Sequence, residues 1–333
     1  MTSLKPRPTI RDVAREAEVS IATVSRVLSG SSGAGAEVRE RVLRVAAELG
    51  YRGDAIARSL RSRRTDTLGL VVPDITNPFF PSLVQEIEQE LQRRGSGLLL
   101  ADAQSDAALE AARVRSLLDR RLDALLISPS DQERSAEIIA EAMEQVPVVQ
   151  VDRWASAAAP YVGVDHDRAI RDVVAHLREG GRTRFAFVGY AAGVSTSEAR
   201  LDAFIRHTAS VDPSAGSRIL REEPQADGAV PAAWLDSIVG EVDGLVVTSD
   251  LIAIALRDAL VARGARIPED IALVSFDDTL LASAANLSSV RQPLRQLALA
   301  GIRLVHDEHA EVPPEGFPAT LVVRGSSGGT AHS

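Results

Sequence analysis

From Leu68 to Arg324, short apolar runs alternate with amphipathic segments, and nothing else in the 333-residue chain restricts its fold as tightly. LGLVV (68–72) precedes a helical pattern over 79–94, and GLLLA (97–101) precedes one over 106–120. ALLIS (124–128) precedes a third over 133–144, and VPVVQVD (146–152) closes a first set. A second set runs YVGV, a helix over 167–179, RFAFVGY, a helix over 197–209, SRIL and a helix around 230–240. GLVVTSD, a helix over 251–263, IALVSFDD, a helix near 294–308 and ATLVVR complete it. Apolar strands in alternation with helices predict parallel sheets covered on both faces. Two sets predict two doubly wound lobes, with ligand in a cleft at the carboxyl ends of the strands. The polar clusters TNPFF, SPS, VDR, TSD and FDD fall at those ends.

The first 64 residues follow another rule. Thr9 is suited to cap a helix carrying Ile10, Val13, Ala14 and Ala17 at helical spacing. Val19 and Ser20 break that period, and Ser20 can cap a second helix that turns Val24, Val27 and Leu28 inward. Two short helices across a tight turn make a helix-turn-helix, and Ala14 is small enough to let them cross closely. The outward face carries Ile21, Ala22, Thr23, Ser25 and Arg26. That mixture suits a DNA major groove: Arg for guanine, hydroxyls for phosphate or base edges, methyls for thymine. A surface helical hairpin with no DNA partner fits the same twenty residues. After the Gly/Ser loop 29–36, Val38, Val42, Val45, Ala46 and Leu49 line a third helix that Gly50 ends. Tyr51 follows, with a hydroxyl in reach of a phosphate. AIARSLR (55–61) is too short for a stable isolated helix, since those below roughly 12–15 residues are marginal. It is the joint between head and body, and it folds only against something else.

Charge divides at the same place. Residues 1–64 hold 13 Lys+Arg against 7 Asp+Glu, a net of +6, while the remainder carries −15. A basic head on an acidic body fits a head that meets phosphate, although basic arms also serve other partners. The absence of cysteine excludes disulfides, thiol catalysis and Cys-ligated zinc. The six histidines show no HExxH spacing, and no GxGxxG or GKS loop is present, so no metal, cofactor or catalytic residue is expected. No apolar run is long enough to cross a bilayer, and MTSLKPRPTIRD lacks the apolar core of a signal peptide. A cytoplasmic protein without membrane contact is therefore expected.

Taken in order, TIRDVAREAEVSIATVSRVLSG, ELGYRGDAIARSLRSRRT, LGLVVPDITNPFF, VDR, VGVD, FVG, STSEARLDAF, IPEDIALVSFDD and SVRQP resemble the lactose-repressor (LacI/GalR) family along nearly the whole chain. The body also resembles the periplasmic sugar-binding proteins. The resemblance implies an all-α helix-turn-helix head and an α/β body of two doubly wound parallel-sheet lobes. It divides the chain into residues 1–53, a hinge over 54–65, and a ligand-binding and dimerisation domain over 66–330. The N-lobe would comprise about 66–159 and 291–317, the C-lobe about 160–290 and 318–330. For DNA it implies base choice by Ile21 and Ala22, guanine reading by Arg26, and help from Ser20, Thr23, Ser25 and Tyr51. Leu60 would wedge into the minor groove with Ala57 beside it. For the cleft it implies Asn77, Phe79, Phe80, Ser128, Asp152, Arg153, Arg200, Ser249, Asp277 and Gln292, an aromatic and polar wall suited to a sugar. From the residues alone, Phe79 and Phe80 serve equally well as core, and Arg200 with Asp277 as a structural ion pair.

Several positions depart from the family pattern. Glu18 replaces the usual turn glycine, so a side chain must occupy a position prone to φ > 0. Gly53 and Asp54 replace Pro-Asn before the hinge, and Ser128 and Ser249 replace frequent asparagines. The aromatic often found near 225–230 is missing from PQADGAV, and Trp234 falls on the following helix. The expected function is a repressor on a near-palindromic double-stranded operator, controlled by a carbohydrate effector. The tail VVRGSSGGTAHS has no leucine heptads, which points to a homodimer built on the lobes. A transport-type sugar-binding protein and a regulator answering to a nucleobase are the alternatives.

Overall fold

The computed structural model describes residues 8–28, 34–51, 65–190, 192–221, 231–307 and 310–328, and the chain divides into a head up to Thr65 and a body from Asp66. In the head, the Thr9 N–H and hydroxyl donate to the Asp12 carboxylate at 2.9 and 2.7 Å, which opens α1 (Ile10–Glu16). Glu18 makes the turn with φ 54° and an exposed side chain. An L-residue pays about 1–2 kcal/mol for that conformation. Ser20 Oγ accepts from the Thr23 N–H at 3.1 Å and caps α2 (Ile21–Leu28). α3 (Ala36–Glu48) closes a core of Val13, Ala14, Ala17, Val24, Val27, Val42, Val45 and Ala46. It ends in a Schellman motif: Gly50 sits at φ 65°, and the Tyr51 N–H donates to the Ala46 carbonyl at 2.8 Å.

The body's first sheet contains β1 (Thr67–Val72), β2 (Gly97–Asp102), β3 (Ala124–Ile127), β4 (Val148–Val151) and β5 (Tyr161–Val162), in the order β2-β1-β3-β4-β5. All its pairings are parallel. The period of two divides the strands between faces. Leu68, Leu70, Val72, Leu126, Val149 and Val151 pack against α4 (Phe79–Arg94) and the late helix Leu294–His306. Val71, Leu125, Ile127 and Val148 pack against α5 (Ala107–Leu118) and α6 (Ala136–Met143).

The second sheet contains β6 (Phe185–Gly189), β7 (Ile219–Arg221), β8 (Gly244–Val247), β9 (Ala272–Asp277), β10 (Ser288–Arg291) and β11 (Thr320–Val322), in the order β11-β10-β9-β8-β6-β7. α7 (His166–Glu179) and α8 (Ser195–Thr208) cover one face. α9 (Ala232–Ile238), α10 (Asp250–Val261) and α11 (Leu280–Ala284) cover the other. α12 (Leu294–His306) returns to the first lobe. Where the chain crosses between lobes, Val164 bridges Phe317, whose N–H donates to the Gly163 carbonyl at 2.8 Å. Gly316 is required there, because a Cβ would stand 2.6 Å from the Val164 carbonyl carbon.

Three expectations change. Tyr161–Val162 extends the first sheet, so the first lobe takes in these two residues beyond the expected 159. The final strand pairs antiparallel with β10, so the second sheet is not wholly parallel. β10 and α11 stand outside the alternation of strands and helices read from the sequence. Among the described residues no helix is long and apolar enough to cross a membrane.

Candidate effector cleft and DNA-binding face

The carboxyl ends of the two sheets face each other across a small, half-open cavity of about 10 Å³, room for about one water. Asn77, Phe79, Phe80, Asp152, Arg153, Arg200, Asp277 and Gln292 line it, eight of the ten residues expected there. Phe79 and Phe80 are at once core and wall: both are buried, edge to face at 5.1 Å, and both line the cavity. Asn77 Oδ1 accepts from the Phe79 N–H at 3.1 Å, and Asn77 Nδ2 reaches the Tyr190 hydroxyl of the other lobe at 3.5 Å. The Trp154 N–H donates to Ser195 Oγ at 3.0 Å and the Gln132 N–H to the Gly193 carbonyl at 2.7 Å, holding the lobes together.

The charged groups are set against one another without pairing. The Arg153 guanidinium lies over the Phe80 and Tyr190 rings at 5.5 and 5.8 Å, and its Nε has no hydrogen-bond partner. Arg200 lies over the Phe276 ring at 4.3 Å and donates from Nη1 to the Thr248 carbonyl at 2.8 Å. Asp277 accepts from Gln292 Nε2 at 2.8 Å. Neither arginine has a carboxylate within ion-pair distance among the described residues, so the expected alternative of an Arg200–Asp277 pair does not form. Burial lifts the Asp277 pKa to about 7 against the pull of Arg200, and burial also raises Asp152. Both aspartates hold left-handed backbone, φ 67° at Asp152 and 105° at Asp277, strain of a kind that gathers at ligand sites.

Ser128 and Ser249 do not line the cavity. Ser249 is the N-cap of α10, accepting from the Ile252 N–H at 3.4 Å, while its neighbour Thr248 reaches the cavity. Ser128 is fully buried at the end of β3 with its hydroxyl unpartnered. The sequence reading missed Tyr190, Thr196 and Thr248. Tyr190 supplies the aromatic that the 225–230 stretch lacks; its signal was its place at the carboxyl end of the apolar run FAFVG. Trp234 packs into the C-lobe core instead. A larger groove of about 1020 Å³ lies outside, between the 154–160 loop and the helices α7 and α8.

On the head, α2 buries Val24 and Val27 and leaves Ile21, Ala22 and Arg26 exposed, with Thr23 and Ser25 half-buried beside them. Ser20 is exposed and shares a 2.9 Å hydrogen bond with Thr23 Oγ1. Ile21 keeps 47% of its surface in solvent, an apolar side chain that the head's own core leaves unused. Tyr51 is half-buried against that core. Ala57, Leu60, Gly53 and Asp54 lie outside the described residues.

A helix-turn-helix head and a two-lobed body with a polar, aromatic-walled cleft define a class: transcriptional regulators that sense a small ligand. Residues 9–54 match the lacI family of bacterial regulatory proteins, and residues 174–327 match a periplasmic binding protein-like domain. The ribose operon repressor of Halalkalibacterium halodurans is 30% identical, over 98% of this chain and 98% of its own. The chain belongs to the lacI family. A solved complex of the transcriptional regulator CelR with cellobiose is 27% identical, with a TM-score of 0.66 over 96% of this chain and all of its own. The lac repressor dimer bound to operator and the anti-inducer ONPF is 23% identical, with a TM-score of 0.83 over 97% of this chain and 99% of its own, and shares the fold.

Proposed function

We propose that this regulator binds a near-palindromic operator duplex as a homodimer, and that a sugar, admitted to the interlobe cleft when the lobes move apart to widen its one-water cavity, sets its affinity for that operator. The observation that carries the reading is the unpaired charge in the cleft. Arg153, Arg200, Asp152 and Asp277 face one small space between aromatic walls, and the buried Arg153 Nε, Thr248 Oγ1 and Gln292 Oε1 have no partner. Leaving a buried polar group unsatisfied costs about 1–3 kcal/mol. A sugar hydroxyl accepts from an arginine and donates to an aspartate at once, and its apolar face stacks on an aromatic ring. Similar regulators point the same way: one is named for a ribose operon and one is solved with cellobiose.

The head would read DNA through Ile21, Ala22 and Arg26, with Ser20, Thr23, Ser25 and Tyr51 supporting. The domains would run over 1–53, a hinge over 54–65 and a body over 66–330, with Leu60 and Ala57 of the hinge seated in the minor groove. The body offers a face for a second copy: Leu280, 85% exposed, with Leu281 on α11 and Leu251 on the adjoining α10. Exposed leucines on two adjoining helices suit an interaction surface, and a closed two-fold pair is the commonest assembly. Neither catalysis nor a cofactor enters this reading, and such a regulator works beside the chromosome in the cytoplasm. A thermal-shift panel of D-ribose, cellobiose and common pentoses and hexoses tests it. A binder at 100 times its Kd adds about 2.7 kcal/mol of stability. A panel in which no sugar moves the transition defeats the sugar reading.

A further inference from the structure

We propose that His166, which does not line the cleft, is the positioning residue that aims Arg200 at the effector; the inference rests on the reading of the cleft given above. His166 opens α7 directly after the crossover from the first lobe and is 6% exposed. Arg200 stands on the neighbouring helix α8, also buried. The Arg200 Nε–H donates to His166 Nδ1 at 3.4 Å. A guanidinium has no acceptor, so Nδ1 must carry the lone pair and Nε2 the proton. The contact selects the neutral imidazole in this one tautomer, whose Nε2–H is buried without a partner among the described residues. Burial, followed by the Arg200 charge, holds its pKa well below 6.5 and keeps that form.

The bond matters because of what else holds Arg200. Its Nη1 donates to the Thr248 carbonyl at 2.8 Å, and its plane lies over the Phe276 ring at 4.3 Å. Of the five N–H donors of a guanidinium, these two bonds use two, and no other bond from Arg200 is made among the described residues. Thr248 and Phe276 alone allow the group to turn about the Nη1 contact. The His166 bond is the second fixed point that sets its plane. His166 thus links the cleft to the outer groove, whose wall it shares with Trp154 and Tyr161.

The test uses the full chain, ¹⁵N-labelled at histidine and arginine, with His166→Leu and His166→Asn. Asparagine can place its amide oxygen near the position of Nδ1; leucine has no acceptor. The expected spectrum shows an unprotonated Nδ1 and a protonated Nε2 on His166, unchanged down to about pH 6. The Arg200 Nε–H should exchange slowly in the wild type and in His166→Asn, and fast in His166→Leu. A sugar from the panel that stabilises the wild type should bind His166→Leu about tenfold more weakly, as for a lost hydrogen bond to a charged group, and His166→Asn nearly normally. A His166 that titrates near 6.5, or an Arg200 Nε–H equally protected in His166→Leu, overturns the assignment. If the spectra come out as expected but no panel sugar binds, the sugar reading fails and the His166–Arg200 assignment stands.

Discussion

Asp277 concentrates the chemistry of the cleft in one carboxylate. Burial holds its pKa at about 7, above the ordinary 3.8, with Asp250 and Asp152 adding to the rise and Arg200 and Gln292 opposing it. A folded-state pKa raised above the unfolded value means that the folded chain binds the extra proton between the two. Its contribution to stability is therefore whole below pH 4 and lost as pH rises to about 7. Asp152, Asp250 and Glu110 shift in the same direction, while the lowered pKa values of His166 and His176 act oppositely. The difference between wild type and Asp277→Asn isolates the one group: denaturant stability should fall more steeply between pH 4 and 7 in the wild type. Parallel curves would show that the carboxylate is not desolvated. On the head, Arg26→Ala should cost about 1–3 kcal/mol on a selected operator and relax preference at one base pair per half-site. An equal loss on random DNA, read by fluorescence anisotropy, would make Arg26 a phosphate contact.

At the scale of elements, strands such as LGLVV and ALLI were legible because both their faces are buried and every residue is apolar. β5 has two residues and α11 five, too few for any period to register, and the lobe boundary shifted for that reason. Cavity-lining residues were legible where the polar cluster at a strand end was itself conspicuous, as at Asn77, Asp152 and Asp277. Thr248 and Tyr190, each the first residue after a strand, were harder to see, because position at a strand end alone does not say which neighbour projects into the cleft. Ser249 stands outside the cavity for the converse reason: its hydroxyl caps a helix. Glu18 stands where the turn needs φ > 0, as the departure from glycine implies, and the structure holds it at φ 54°. Glu18→Gly should therefore stabilise the head by about 1 kcal/mol, since glycine takes that conformation freely. Its larger loss of unfolded-state entropy offsets part of the gain. Hydrogen exchange of α1 and α2 amides in the full chain measures this, and slower exchange is expected. Faster exchange would show that the turn carries no strain.

At the scale of the whole molecule, the sequence separates two jobs by charge, +6 over residues 1–64 and −15 over the rest. The repulsion between an acidic body and phosphate leaves the head to supply the affinity, and the cleft to adjust it. Ligand in the cleft can change DNA affinity only through its different affinities for two arrangements of the body, and coupling of this kind usually amounts to about 1–3 kcal/mol. The most direct measurement is the affinity of the full chain for a near-palindromic duplex selected from random sequence, with and without a panel sugar that stabilises the body. The predicted result is a sugar-dependent change of about 5–150-fold, in either direction, on an affinity that falls steeply between 50 and 200 mM salt. An operator affinity that the bound sugar leaves unaltered would contradict the account.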